Sequence, residues 1–301
     1  MDPGTPRMTD QDWLAERFEA NRSHLRGVAF RMLGSVSEAD DAVQEAWIRL
    51  SRTDTSDVEN LRAWLTTVVG RVSLNMLRLR KTRGESSLET HIPDPILSPE
   101  GGLDPEQEAL LGDSVGLAML VVLDSLTPAE RVAFVLHDVF AVPFDEIAPI
   151  VGRSSTATRQ LASRARRRVQ GAPVPDVDLD GQWAVVDAFL AAARDGDFER
   201  LLSVLDPDVV LRSDGGDARP GLISLLHGAQ AVAEGALTFR RFAETATRIL
   251  VNGVPGGVAW SPDGNPFAVV ALTVKGDRIV AIDILADPDR LAQLDLTEIA
   301  R

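Results

Sequence analysis

The sequence of 301 residues contains no cysteine, no tyrosine, only four histidines and no long apolar run. Without cysteine the chain has no disulfide, thiolate zinc site or cysteine nucleophile. The four histidines do not have the spacing of metal ligands, so we predict no metal; they are His24, His91, His137 and His227. We also predict no cofactor. No window approaches the run of about 18 apolar residues that a membrane span needs. Residues 1–16 lack the apolar block of a secretory signal, so we expect a cytoplasmic protein without a membrane partner.

What the chain has in excess is negative charge, −14 in total, which by itself argues against a polyanionic partner. The charge is unevenly distributed. Residues 17–83 carry 12 Arg and Lys against 8 acids, and residues 153–170 hold six arginines and no acid. Residues 84–107 carry six acids and no base, and residues 171–301 carry 20 acids against 11 bases. The pattern therefore indicates two basic surfaces on an acidic body.

Residues 17–83 have the periodicity of amphipathic helices. In the last of these helices a buried stripe is predicted at Leu61, Leu65, Val68, Val72, Met76 and Leu79. Basic residues crowd the end of this helix, where they either interact with the helix dipole or form a surface for a polyanion. Their density favours the surface for a polyanion.

Residues 84–107 contain four prolines and no hydrophobic period, which predicts a flexible, acidic linker. Helical patterning resumes near Glu108. Thr127, Pro128 and Glu130 then combine a helix cap, a proline suited to the first helical position and a capping box, so a helix is predicted to begin there.

The stretch from Phe144 to Val169 predicts a helix-turn-helix unit whose turn contains Gly152. Its second helix is predicted to face inward at Ala157, Leu161, Ala165 and Val169. The opposite face can donate hydrogen bonds to purine edges and phosphates. The residues predicted to bind DNA there are Ser155, Thr156, Thr158, Arg159, Gln160, Ser163, Arg164 and Arg167. The alternative is a solvated basic face, but no acids are interspersed for i,i+4 pairs.

After a connector rich in Pro, Gly and Asp (171–181) the pattern changes. One helix places Trp183, Val186 and Phe189 inward. Later segments predict strands at 209–212, 248–251, 258–260, 267–274 and 278–285, the last two joined by a tight hairpin at 275–277. An α+β domain with a curved antiparallel sheet is expected.

A resemblance to bacterial extracytoplasmic-function (ECF) sigma factors of the sigma-70 family is carried by the run Ser37-Glu38-Ala39-Asp40-Asp41-Ala42-Val43-Gln44-Glu45-Ala46-Trp47. Residues 61–65, 126–131, 144–148 and 159–166 are similar to further segments of that family. Residues 180–297 resemble a SnoaL-like extension of the ketosteroid-isomerase (NTF2-like) type. Its branch has short motifs similar to Asp214-Gly215-Gly216 and Asp287-Pro288-Asp289-Arg290-Leu291, and residues 93–99 loosely resemble the linker motif of the family.

The resemblance implies a multidomain protein. Two all-α domains, sigma region 2 at 17–83 and the helix-turn-helix of region 4 at 108–170, are joined by the linker 84–107. A cone-shaped α+β SnoaL-like regulatory domain follows at 180–297. A sigma factor brings core RNA polymerase to a promoter and is not an enzyme.

The resemblance also implies how each region binds. Region 2 would dock on the coiled coil of the largest polymerase subunit through Asp40, Asp41, Gln44, Glu45 and Trp47. It would read the −10 element through Arg62, Arg71, Asn75, Arg78 and Arg80, with a flipped base held by the loop 53–60. Region 4 would read the −35 element and contact the flap of the second-largest subunit.

Alternatives remain open for the C-terminal domain. His227, Asp214 and Asp283 are candidate polar groups of a pocket, but isomerase relatives use a tyrosine donor that this chain lacks. A regulatory module that modulates the sigma regions in cis, with an unidentified small ligand left open, is favoured. The alternatives are a cyclase or isomerase fused to a DNA-binding module and a helix-turn-helix regulator that never joins polymerase.

Overall fold

The computed structural model describes residues 10–53, 58, 60–83, 92–100, 117–170, 178–238, 240, 245–297 and 299. The chain divides into two compact units. The helical unit comprises Met1–Glu85 and Leu126–Arg167, and the sheet unit comprises Ser86–Ser125 and Arg168–Arg301. Among the described residues, no helix is long and apolar enough to cross a membrane.

The helices of the first half are α1 (Asp10–Leu33), α2 (Val36–Leu50), α3 (Leu61–Arg83), α4 (Leu117–Asp124), α5 (Pro128–Phe134), α6 (Phe144–Val151) and α7 (Ser155–Val169). All but α4 begin in the helical unit. The chain turns at Gly34, whose φ is 70°, so that α2 can begin directly after α1. The predicted capping box is confirmed, because the Glu130 amide donates to Thr127 Oγ1 at 3.4 Å and the Thr127 amide donates to the Glu130 carboxylate at 3.2 Å.

Helices α1 to α3 share one core with α5 and α6. A Cβ at Gly70 of α3 would lie 3.0 Å from Leu136 Cδ1, so α3 closely approaches the π-helical segment Val135–Val139 that directly follows α5. Arg131 is 3% exposed and donates from Nη1 to the Met32 carbonyl at 2.8 Å. Because α3 packs on two sides, its buried surface is broader than the predicted stripe. The stripe also extended too far along the helix, since Leu79, predicted to be buried, is 58% exposed.

The sheet unit contains seven strands in the order β1-β4-β5-β6-β7-β2-β3. They are β1 (Leu97–Ser98), β2 (Leu205–Asp214), β3 (Ser224–His227), β4 (Thr247–Val251), β5 (Val254–Trp260), β6 (Pro266–Lys275) and β7 (Arg278–Leu285). Its further α-helices include α8 (Leu179–Asp195), α9 (Phe198–Val204), α10 (Ala229–Thr238) and α11 (Pro288–Leu291), and a 3₁₀ helix lies at Pro220–Leu222. The predicted fold class, helical domains followed by an α+β domain, is confirmed.

All five predicted strands are present, and so is the hairpin, in which Lys275 pairs with Arg278 and Gly276 has a φ of 63°. Two strands, β1 and β3, were not predicted. The sheet is also not purely antiparallel, because β2 runs parallel to its neighbour β7. That pairing joins residues about 70 positions apart, which no local pattern reveals.

Residues 92–100 differ from the sequence-based prediction of a flexible linker. Leu97 pairs with Val251 as β1 joins the edge of β4, and the Ile96 amide donates to Asn252 Oδ1 at 2.7 Å. Ile92 is fully buried in a hydrophobic cluster with residues of β4, β5, β6 and α11. For residues 92–98 the prediction of flexibility is wrong, because Ile92, Ile96 and Leu97 are buried in the sheet unit.

Candidate functional site

Helix α7 presents polar and basic side chains on its outward side. Thr158, Ala162 and Ala165 are buried, at intervals of four and three residues. Gly152 reverses the chain before the helix with a φ of 69°. The exposed side chains, which can donate to base edges or phosphates, are Thr156, Arg159, Gln160, Ser163, Arg164 and Arg167. We call these six residues the outward face of α7.

Two details of the predicted α7 are wrong. Thr158, predicted to bind DNA, is fully buried, and its hydroxyl donates to the Ser154 carbonyl at 2.9 Å. The inward face is rotated by one position, since Leu161 is only half-buried whereas Ala162 is fully buried. Small side chains at 158, 162 and 165 let the helix approach its neighbours closely, and this face is therefore the one that packs.

Two contacts attach the start of α7 to α6. Ser155 donates a hydrogen bond from its hydroxyl to the Asp145 carboxylate. The guanidinium of Arg159 lies 5.3 Å from the centroid of the Phe144 ring, a cation–π contact. These contacts fix the angle between the two helices and hold Ser155 back from the outward face.

Helix α3 carries a second row of exposed polar side chains. Arg71, Asn75 and Arg78 are exposed at i, i+4 and i+7, which places them along one side of the helix. Arg62 is exposed near the start of α3, where its Nη2 lies 2.9 Å from Nδ1 of His24. Four of the five residues predicted to bind the −10 element therefore have solvent-exposed side chains.

Arg80, the fifth of these residues, is held inside the helical unit. It is half-buried, donates from Nη1 to the Leu33 carbonyl at 3.1 Å and forms an ion pair with Glu38. These partners hold the Arg80 guanidinium against the end of α1 and the start of α2, and its contact with DNA stays a prediction. The loop 53–60, predicted to hold a flipped base, lies largely outside the described residues.

Helix α2 contains all the residues predicted to bind polymerase, which are Asp40, Asp41, Gln44, Glu45 and Trp47. Asp41 and Gln44 are exposed. Trp47 is half-buried, with its ring centroid 5.1 Å from that of Phe18. The helix therefore offers an acidic and amide surface beside an aromatic ring that is partly used in packing.

Two of the acidic residues predicted to bind polymerase form ion pairs. Asp40 pairs with Arg26 at 2.7 Å, and Glu45 pairs with Arg49 at 2.9 Å, one turn later on the same helix. The pair at Asp40 ties α2 to α1. Asp41 is thus the most accessible carboxylate of this surface.

In the sheet unit, Arg290 of α11 binds both Asp214 and the segment 92–94. It donates from Nη1 to Asp214 Oδ2 at 2.9 Å, from Nε to Asp94 Oδ1 at 3.0 Å, and from Nη2 to the Ile92 carbonyl at 2.5 Å. Asp214 Oδ2 also accepts a hydrogen bond from the Ile92 amide at 3.2 Å. We call Arg290, Asp214, Asp94 and Ile92 the Arg290 clamp.

Two glycines allow the parts of this clamp to approach. Gly216 has a φ of 58°, and a Cβ there would lie 2.2 Å from the Asp287 carboxylate. A Cβ at Gly215 would lie 2.2 Å from the Arg219 carbonyl. Asp287 in turn caps α11 by accepting from the Asp289 amide at 2.9 Å. The two short motifs singled out in the sequence therefore meet each other around segment 92–94.

Sequence reasoning missed Ile92 and Asp94 as members of this site. The motifs of residues 214–216 and 287–291 were recognised, and 93–99 was noted as similar to a linker motif, but nothing in the sequence joined the three. A backbone carbonyl and a single carboxylate within a proline-rich stretch leave no periodic signal.

The three polar pocket candidates do not come together. His227 is exposed at the end of β3, and Asp214 belongs to the clamp. Asp283 is 1% exposed and pairs with Arg212 Nε at 2.7 Å. Burial raises the pKa of the Asp283 carboxyl, although the charge of Arg212 opposes that rise. Among the described residues, none of the three lines the apolar cavity between α8, α10 and the sheet.

Comparison with known proteins places these elements in a family. The family model described as "Sigma-70 region 2" matches residues 17–83, and "Sigma-70, region 4" matches residues 117–169. The ECF RNA polymerase sigma factor SigJ of Mycobacterium tuberculosis is 37% identical over 297 residues, covering 93% of this chain and 94% of SigJ. The probable ECF RNA polymerase sigma factor SigI of the same species is 35% identical over 293 residues, covering 95% and 98%.

A solved structure agrees with this relationship. The crystal structure of the M. tuberculosis ECF sigma factor SigJ matches with a TM-score of 0.75 and 34% identity, covering 94% of this chain and 100% of that one. The match extends through both units, so it includes the sheet unit as well as the sigma regions. The chain therefore belongs to the extracytoplasmic-function sigma factors of the sigma-70 family.

Proposed function

We propose that this sigma factor reads promoter DNA with two separate surfaces and docks on core RNA polymerase with a third. The outward face of α7 reads the −35 element, and the exposed residues Arg62, Arg71, Asn75 and Arg78 hold the −10 element. Helix α2 docks on the coiled coil of the largest polymerase subunit. Sigma region 4 contacts the flap of the second-largest subunit. The observation that carries this proposal is the outward face of α7.

The chemistry of that face suits a duplex. Helix α7 has 15 residues, so it is about 22 Å long and fits along a major groove. Arg159 can donate two hydrogen bonds to the O6 and N7 atoms of guanine, and Gln160 can donate one to N7 of adenine while its amide oxygen accepts one from the N6 amino group. Arg164 and Arg167 offer charge for phosphates, which adds affinity that does not depend on sequence.

The docking surface is tested by charge reversal. Run-off transcription with purified core polymerase is measured for wild type, for the double variant Asp41→Lys and Glu45→Lys, and for Glu199→Lys. Glu199 is an exposed acid on α9 and serves as the matched control. We expect the double variant to lose promoter-specific transcripts while Glu199→Lys retains them, and an active double variant would refute docking through α2.

We further propose that the SnoaL-like domain modulates initiation in cis through the Arg290 clamp. Support comes from what the clamp holds, since segment 92–94 lies in the stretch that links the two sigma regions. When the clamp is closed, only the eight residues 84–91 connect α3 to Ile92, and eight residues span at most about 28 Å. The closed clamp therefore shortens the free chain between sigma regions 2 and 4, which must reach both the −10 and the −35 element.

A second observation favours a restraining role for the clamp. In the helical unit, α3 packs against the same core as α5 and α6, with Gly70 against Leu136 and Arg131 on the Met32 carbonyl. Reading two separated promoter elements requires α3 and α7 to move apart, which in turn requires slack in the tether. Opening the clamp supplies that slack, so we expect clamp variants to initiate more readily.

Neither alternative function is favoured. The relatives named above are sigma factors, and the pocket candidates His227, Asp214 and Asp283 lie at three different places in the sheet unit. A regulator that never joins polymerase has no use for residues 17–83, which match sigma region 2.

A further inference from the structure

The sheet unit contains a cavity of about 190 Å³ that is lined by residues of α8, α10 and the sheet. Phe189, Leu211, Val270, Leu272 and Ile282 supply most of its apolar wall. Small residues create the space, since the wall on β5 and α10 is formed by Gly257, Ala259 and Ala236. Glycine weakens a strand and often marks a place where a ligand approaches the backbone.

The cavity has a polar end on neighbouring strands. Ser213 of β2 pairs with Ser224 of β3, and both residues line the cavity. The Ser213 hydroxyl donates to the Leu222 carbonyl, so its oxygen remains an acceptor. The Ser224 hydroxyl can both donate and accept. Together they suit one ligand hydroxyl or carbonyl group.

Charge at the cavity is already neutralised. Arg248 is the single ionisable residue in the described lining, and it pairs with Asp187 at 3.0 Å and with Glu100 at 2.5 Å. Its guanidinium also lies 4.1 Å from the ring centroid of Trp183. An anionic ligand would have to displace these carboxylates or be buried without a partner, which is very unfavourable.

We propose that this cavity binds a small, neutral, largely apolar molecule with a single hydroxyl or carbonyl group directed at Ser213 and Ser224. The volume sets its size. An apolar protein cavity of about 150 Å³ holds benzene, so this one holds about eight non-hydrogen atoms, well below a steroid or a polyketide. Among the described lining residues there is no carboxyl or imidazole group, so the proposed role of the site is to bind the molecule.

The cavity is connected to the Arg290 clamp through one peptide bond, because Ser213 precedes Asp214. A ligand that orients Ser213 therefore acts next to the carboxylate that Arg290 binds. This coupling rests on the proposed regulation in cis, whereas binding in the cavity does not.

The site is tested by calorimetric titration of the full-length protein with p-cresol, which has eight non-hydrogen atoms and one hydroxyl. Two matched probes are titrated in the same way. Toluene lacks the hydroxyl group, and benzoate carries a negative charge. We expect p-cresol to bind with a Kd of about 0.1–1 mM and benzoate to bind at least about tenfold more weakly. Absence of saturable p-cresol binding, or equal binding of benzoate, would overturn the proposal.

Variants locate the binding. Ala236→Leu places three more carbon atoms against the cavity and should weaken p-cresol binding at least about tenfold, whereas Ala184→Leu, at an exposed position of α8, should not. Ser224→Ala should weaken the binding of p-cresol but not the binding of toluene. Because this variant removes only one non-hydrogen atom, it still tests the site if Ala236→Leu does not fold. Unchanged p-cresol binding in both cavity variants would refute the site. No polymerase is present, so this failure would leave the clamp proposal standing, and the transcription assay tests that separately.

Discussion

Arg290 donates a hydrogen bond to Asp214 at 2.9 Å, while the same guanidinium holds Asp94, which lies 196 positions earlier in the chain. These contacts join three separate stretches of the sequence, around residues 92–94, 214 and 290, in one hydrogen-bonded site. Both the carboxylates and the guanidinium are at most a quarter exposed, so water screens the ion pairs only in part. We therefore expect the clamp to keep segment 92–94 bound to the sheet unit, as its proposed role in transcription initiation requires.

Replacing Arg290 with alanine should loosen segment 92–98. The buried carboxylate of Asp214 and the half-buried carboxylate of Asp94 lose their positively charged partner, so the free energy of unfolding of the sheet unit should fall by about 2 kcal/mol. The amide hydrogens of residues 96–98 should exchange faster. Arg200→Ala is the control, because the Arg200 side chain is 49% exposed and its ion pair spans 4.0 Å. Denaturant unfolding and hydrogen exchange measure both effects, and equal changes in the two variants would contradict a special role for Arg290.

Gly216→Ala and Gly276→Ala separate backbone strain from steric clash. Both glycines have a positive φ, 58° and 63°, so each alanine variant is expected to lose about 1 kcal/mol of stability. At Gly276 nothing lies within 4 Å of the new Cβ, whereas at Gly216 the Asp287 carboxylate would lie at 2.2 Å. Thermal unfolding should therefore show a larger loss for Gly216→Ala, and faster exchange at residues 96–98 in this variant alone. Equal losses would show that the contact with Asp287 is unimportant.

The observed faces of α7 predict opposite outcomes for one exposed and one buried position of this helix. Arg164→Ala should weaken binding to duplexes of any sequence and reduce the slope of log affinity against log salt by about one. Thr158→Ala should lower stability but leave the salt slope unchanged, because Thr158 is fully buried. Fluorescence anisotropy at several salt concentrations measures the slopes. A reduced slope for Thr158→Ala would restore Thr158 to the DNA-binding face.

His24 makes the stability of the helical unit depend on pH. Its pKa falls from 6.5 to about 4, first because of burial and then because of the charges of Arg62 and Arg31. The folded state thus favours neutral His24, whose contribution is present above pH 6.5 and is lost as the pH falls towards 4. His24→Gln should show a smaller loss of unfolding free energy between pH 7 and pH 4 than wild type. Parallel pH profiles would show that His24 is not the titrating group.

The elements that depend on local chemistry were predictable from sequence. The capping box at Thr127, the turn at Gly152 and the hairpin at Gly276 follow from neighbouring residues alone, and all are confirmed. Thr158 was placed on the outward face because the adjacent apolar residues Leu161 and Ala162 leave two possible inward faces for α7, and only packing density selects between them.

The features that depend on distant residues could not be predicted. Strand β1 has only two residues and becomes a strand because β4 offers an open edge. The parallel pairing of β2 and β7 and the partners of Arg290 depend on the completed sheet. The cavity likewise arises from small residues on β5 and α10, which are far apart in the chain.

The most direct test of clamp regulation is run-off transcription with purified core polymerase on a library of random upstream sequences. Wild type is compared with Arg290→Ala, and Arg200→Ala serves as the matched control. We predict promoter-specific transcripts only when the sigma factor is present, with a several-fold higher yield for Arg290→Ala than for wild type or Arg200→Ala. Equal yields from all three proteins, or a lower yield from Arg290→Ala, would contradict a restraining role for the clamp.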